Sequence, residues 1–136
     1  MQLHSHWSFN VNGLYQIAPN RPWGFNVAAN IFGREGYPIP YVATSFDSTF
    51  KTWTAQATDE PDDFRYDDLY TVDLRFEKEF AATGNMGLTF SADLFNALNS
   101  GVVLARRTDL NGPRPNWVQE TLSPRVWRLG VRLNWR

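Results

Sequence analysis

Asp73, Arg75, Glu77 and Glu79 are the densest set of residues able to do chemistry in this sequence. Spaced two apart, they share one face of an extended strand. Carboxylates paired on one face invite a general acid–base reading, with one group taking a proton while another gives it. A solvated or water-filled sheet face explains the same alternation without catalysis, and that is the expectation. No Ser/His/Asp order, glycine-rich phosphate loop or metal triad accompanies them. The chain is therefore not expected to be an enzyme, and no cofactor is expected.

Three other groupings invite a ligand. His4-Ser5-His6 places two imidazoles at alternate positions, but two ligands are too few for a structural metal site. A solvated chain end is the expectation there. The run Asp59-Glu60-Pro61-Asp62-Asp63, continuing to Asp67 and Asp68, supplies oxygen ligands of the kind Ca²⁺ takes. It lacks the glycine and the spacing of an EF-hand loop, so a solvated loop is expected. Trp53, Trp117, Arg106 and Arg107 fall in long connecting segments. Aromatics and arginine are favoured at binding surfaces, so these are candidate ligand contacts. Packing of loop on loop accounts for them equally well.

The elements that must position these residues are strands. Apolar and polar residues alternate from Trp7 to Ile17, from Trp23 to Arg34, from Leu69 to Phe80, from Met86 to Leu94 (degrading at Phe95-Asn96-Ala97), and from Trp127 to Arg136. In the third segment Tyr70, Val72, Leu74, Phe76 and Phe80 share a face, interrupted by Lys78. As a helix that segment would scatter its charges, whereas as a strand it sorts them. Each strand is about ten to twelve residues, near the ~9–11 that a tilted strand needs to cross a bilayer. Two connections are short turns, Ala18–Pro22 and Ala81–Asn85, and two are long and polar, near 35–68 and 98–123. Bacterial outer-membrane barrels show that asymmetry, with short periplasmic turns and long outer loops. Trp7, Tyr15, Trp23, Phe80 and Trp135 stand near strand ends on the apolar faces, where an aromatic girdle belongs.

Composition agrees and excludes alternatives. The chain of 136 residues is long enough for one ordinary domain. Its formal charge of −1 gives no electrostatic footing for nucleic acid. There is no Cys, which removes disulfides, thiol nucleophiles and thiolate metal sites. No apolar run exceeds four residues, Val102 to Ala105, so no transmembrane helix is expected. Residues 1–6 show neither the charged nor the apolar region of a signal peptide, so an exported protein starting here is expected to be a mature fragment.

Three segments in the second half resemble the C-terminal end of TonB-dependent outer-membrane receptors, especially the Oar-like members. They run from Arg65 to Phe80 (RYDDLYTVDLRFEKEF), from Leu88 to Ser100 (LTFSADLFNALNS), and from Leu122 to Trp135 (LSPRVWRLGVRLNW). Barrels of that family commonly show an Asp-Leu-Arg strand, an Asp-x-Phe-Asn-x-Phe-Asn strand end, and a closing Pro-Arg-x-x-x-Leu-Gly-x-Arg strand with a terminal aromatic. Here Leu98 replaces the second Phe, and Arg136 follows the aromatic. The last strand also resembles the signal read by the barrel-assembly machinery, carried here by Arg128, Gly130, Leu133 and Trp135. The likeness covers residues 65–136; upstream only the strand pattern supports it.

The expectation is an all-β fold in which residues 1–136 are the C-terminal strands of an antiparallel transmembrane β-barrel, near 7–17, 23–34, 69–80, 86–98 and 124–136. The resemblance implies part of the wall and outer loops of a receptor that imports a scarce ligand across the outer membrane of a Gram-negative bacterium. Asp73, Arg75, Glu77, Glu79, Arg128 and Arg132 would then face the lumen. Implied partners are outer-membrane lipid, upstream strands with a plug, or another chain, to complete the barrel, and TonB through an N-terminal region outside this sequence. Five strands do not close alone, since even small membrane barrels use about eight. The alternative is a soluble β-sandwich or lipocalin-like module binding a small ligand, its apolar faces turned on one another.

Overall fold

The computed structural model describes residues 5–47, 49, 51–60 and 62–135. His4, Pro61 and Arg136, named above, lie outside them. The described residues form nine strands and no helix: β1 Ser8–Ile17, β2 Phe25–Arg34, β3 Val42–Phe46, β4 Thr52–Gln56, β5 Leu69–Thr83, β6 Met86–Phe95, β7 Val103–Arg106, β8 Val118–Thr121 and β9 Val126–Trp135. No helix is long and apolar enough to cross a membrane, which says nothing of strands. The chain divides into two compact units, one holding 1–8, 34–69 and 101–122, the other 9–33, 70–100 and 123–136.

The second unit is a single five-stranded sheet in the order β1-β2-β5-β6-β9. Its long strands coincide with the five alternating segments. Strand β6 pairs antiparallel with β5 on one side and with β9 on the other. The register joins like with like: Leu74 lies opposite Leu94, which lies opposite Trp127, and Phe76, Ala92 and Leu129 form the next row. Between those rows Arg75 faces Asp93, which faces Arg128. A slip of one residue would set charge against ring along the whole sheet, so the alternation itself holds the register. The sheet is open, with β1 and β9 as its edges, and the described residues form no closed barrel.

Two boundaries differ from expectation, each for a local reason. Strand β5 runs on to Thr83 through a register shift between Ala81 and Thr83, which leaves only Gly84 and Asn85 for the turn. Strand β6 stops at Phe95 instead of 98, because Asn96 turns to φ 48°. Asn accepts the left-handed region more readily than most residues, so it can end a strand abruptly.

The first unit contains what sequence patterning leaves as long loops. There β3 pairs with β4 and β7 with β8, both antiparallel. Isolated bridges tie Pro38 to Arg65 and Val42 to Asp109. Ile39 is buried, its N–H donates to the Phe64 carbonyl at 2.7 Å, and Phe64 packs edge-on against Tyr41. Gly36 sits so close to the chain that a Cβ would fall 1.7 Å from the Tyr66 carbonyl oxygen. Only glycine fits there. The strands are four or five residues each, too short for their patterning to rise above that of a polar loop.

Candidate functional site

The charged residues meet on one face of the sheet. Arg128 approaches Asp93 through two nitrogens, Nε and Nη2, each 2.9 Å from Oδ2. Arg75 approaches the same carboxylate from the other side, Nε to Oδ1 at 3.6 Å, and sends Nη2 to Glu77 at 3.0 Å. Arg132 reaches Glu77 at 3.7 Å. Charge therefore alternates across three strands, and every strong contact is cross-strand or i,i+2. Asp93 is only 5% exposed, while both its arginines are well exposed. A buried carboxylate between two guanidinium groups is stable as a set and strongly destabilised if one partner goes. Glu79 shares the face, level with Thr89 and Arg132.

Asp73 does something the pattern does not announce. Its Oδ1 accepts the Asn96 backbone N–H at 2.9 Å and its Oδ2 lies 3.4 Å from Asn30 Nδ2. Asn96, 5% exposed, then donates through Nδ2 to the carbonyls of Ser100 and Ser123 and accepts the Ser100 N–H on Oδ1. Asn99, also left-handed at φ 54°, accepts the Arg125 N–H. The Asp-x-Phe-Asn-x-Leu-Asn run is thus a clasp that ends β6 and fastens the approach to β9. Arg128 closes over the Phe95 ring at 4.9 Å. Together Asn30, Asp73, Arg75, Asp93, Phe95 and Arg128 line a groove of about 540 Å³. No Ser, Thr, Cys or Lys is among the residues that line it.

The opposite face is apolar and open. Leu129 and Trp135 are 79% and 76% exposed, and Leu74, Phe76, Phe80, Phe90, Val131 and Leu133 are all exposed. Phe25 and Phe76 meet at 5.0 Å between centroids, and Phe80 and Phe90 meet edge-on at 5.7 Å. Lys78, the exception on this face, turns its amine to the carbonyls of Pro22 and Gly24 in the first short turn. Its stem can lie along apolar surface while the charge reaches polar atoms. Of the proposed assembly residues, Leu133 and Trp135 are on the apolar face. Arg128 and Gly130 are on the polar one, where a Cβ at 130 would fall 2.6 Å from Ser91 Oγ.

The loop candidates separate. Trp53 is on β4 opposite Ser45, and none of the ring contacts joins it to Trp117 or to the arginines. Arg106 donates its backbone N–H... to Tyr66 Oη, at 2.8 Å, and its side chain reaches the Asn116 carbonyl. Arg107 and Trp117 do come together, at a cavity that also holds Arg114, a residue sequence reading passes over. Proximity of 114 to 117 in sequence was the available signal. Three carboxylates of the acidic run have partners of their own: Asp62 pairs with Arg65 at 2.8 Å, Asp63 accepts the Glu60 N–H, and Asp68 accepts the Gly36 N–H. Among the described residues no three His, Cys, Asp or Glu side chains are grouped to hold a metal. Glu35 gathers the His6 backbone N–H at 2.7 Å and Arg65 at 3.3 Å. The His6 N–H, aided by Arg65, holds its carboxyl below the ordinary value against the opposing effect of desolvation.

Comparison with protein-family models, with curated proteins and with solved structures gave no match.

Proposed function

We propose that this chain forms part of the wall and outer loops of an outer-membrane β-barrel of the TonB-dependent receptor type, which imports a scarce ligand. One observation carries the reading. In the sheet unit the buried side chains are polar, Thr89, Asp93 and Asn96, while many large apolar ones, Leu74, Phe76, Phe90, Leu129 and Trp135 among them, are exposed. Water-soluble monomers rarely expose a broad contiguous apolar face, and a lipid-facing sheet must. Lipid would cover the face of Leu74 and Leu129, and a plug or water would meet the groove of Asp93 and Arg128. Further strands would pair along the free edges of β1 and β9, since strand edges in hydrocarbon need partners. The motif resemblance over residues 65–136 supplies the receptor type, and TonB would act through a region outside this sequence.

The test is contact with lipid. Nitroxide labels at positions 74 and 75 in lipid-reconstituted protein, or quenching by brominated lipid, read the two faces separately. Position 74 should report hydrocarbon, and position 75 water or protein. Shielding of position 74 from lipid would overturn the reading and favour a soluble sandwich, in which that face meets a second sheet.

A further inference from the structure

The β7/β8 hairpin carries a cavity whose chemistry is distinct from the groove on the sheet. Its ladder continues past Arg106: the Arg107 N–H donates to the Trp117 carbonyl at 2.8 Å, and the Asn116 N–H donates to the Arg107 carbonyl at 3.2 Å. The chain returns between them through Gly112-Pro113-Arg114-Pro115. Arg114 is left-handed at φ 60°, as is Asn116 at φ 59°. Asn tolerates that region, whereas a long side chain such as Arg is uncommon in it, so the surrounding loop must enforce the conformation. The Arg114 guanidinium lies 4.3 Å from the Trp117 ring centroid. Stacking of this kind fixes the planar group and leaves its N–H edges available in plane.

Arg107, Arg114, Trp117, Val118 and Gln119 line a space of about 420 Å³, with no carboxylate among them. Elsewhere Arg65, Arg75, Arg128 and Arg132 each meet an Asp or Glu, whereas Arg21, Arg34, Arg106 and Arg125 are in none of the ion pairs among the described residues. None of the ion pairs among the described residues includes Arg107 or Arg114. Arg107 and Arg114 each bring a positive charge to this one small cavity, which favours an anionic occupant. The size suits a small molecule. We propose that this cavity binds a small oxyanion-bearing ligand, its carboxylate or phosphate held by Arg107 and Arg114, with Trp117 positioning Arg114. Arginine's fork matches both oxyanions in two-point fashion. The inference is independent of the membrane reading, because the cavity lies wholly within the loop unit.

The test uses the folded full chain and phenylglyoxal, which modifies accessible arginines, with peptide mass spectrometry to read each site. Inorganic phosphate and citrate are the probes, against sodium chloride at matched ionic strength. Either probe should slow modification of Arg107 and Arg114 saturably while leaving Arg34 and Arg125 unchanged. Protection by one probe alone supports the site and assigns phosphate or carboxylate as its class. Arg114→Gln should weaken the protection at Arg107 about tenfold or more, because charge-assisted bonds are the strong ones, and Trp117→Leu should weaken it less. Equal slowing at every arginine, or none with either probe, overturns the proposal. That result can be read on the native chain whether or not a variant folds.

Discussion

The two units of this molecule bury opposite kinds of side chain. Of the hydrophobic side chains buried among the described residues, Ile39 belongs to the unit built from the long connections, and Leu69 stands where that unit ends and β5 begins. Thr89, Asp93 and Asn96, the buried polar ones, belong to the five-stranded sheet. The loop unit therefore follows the ordinary rule for a chain in water, apolar inside, on a small scale. The sheet inverts it. Hydrogen bonds and ion pairs organise its interior-like face, and apart from Leu69 its large apolar side chains are half-buried or exposed, so little hydrophobic burial within the sheet offsets the entropy of ordering long strands. Something beyond the sheet must cover its apolar face, and that is what makes lipid the proposed solvent there. The difference teaches that burial is best judged unit by unit, because an average over the chain would hide both patterns.

The comparison can be broken first at Asn96. Asn96→Ala strands the carbonyls of Ser100 and Ser123 and the Ser100 N–H, and puts Ala at φ 48°. The expected loss is about 3–4 kcal/mol of sheet stability, combining orphaned buried groups with the left-handed backbone. Asn96→Gly keeps the backbone and loses only the bonds, so it should recover about 1 kcal/mol of that. Denaturant titration of the refolded protein measures both. Equal stability of the parent and Asn96→Ala would mean that polar burial does not organise the sheet.

A smaller loss is expected at Ile39. Ile39→Ala should cost the loop unit about 2–3 kcal/mol, toward the low end for core truncation because so small a unit can collapse around the gap. Hydrogen exchange should quicken at the amides of Ile39 and Tyr66, which bond within that unit, and stay unchanged at Ala97 in the sheet. Quickening throughout the sheet would show that the two units do not unfold separately.

The smallest effect is a pH dependence. The carboxyl of Glu35 is held below its ordinary value in the fold, so its contribution is full above the unfolded carboxylate range and fades as pH falls through the folded value. His6, Arg65 and Asp62 are the titratable or charged groups paired around it. In Glu35→Gln the gap in protection of the Gly36 amide relative to the parent should be present near neutral pH and shrink in acid. A gap that grows in acid would reverse the sign and disprove the assignment.

Much of the sheet was legible before any coordinates, since period two over ten residues is hard to produce by chance and fixes which side chains share a face. Asp73, Arg75 and Glu77 could be set on one face of β5, and Arg128 and Arg132 on one face of β9, from spacing alone. Their partners could not: Asp93 is opposite Arg128 only because β6 pairs with β9 across a thirty-residue connection that no local pattern spans. Lys78 read as a flaw in an apolar face until the turn carbonyls of Pro22 and Gly24 were found beside its amine. The short strands of the loop unit were illegible, because four or five residues carry too few alternations to outweigh polar composition.

By itself, then, the sequence determined the strand class and the two faces of each long strand. These depend on spacing along a single strand. Only the tertiary structure decided that Asn96 is a buried clasp, that Asp62, Asp63 and Asp68 of the acidic run meet Arg65 and backbone amides, and that Arg107 and Arg114 share a cavity beside Trp117. Those outcomes depend on where chain segments far apart in sequence, or turned by left-handed residues, come to lie. Hydrogen bonds and stacking act over a few ångströms in space, and no periodicity records that distance.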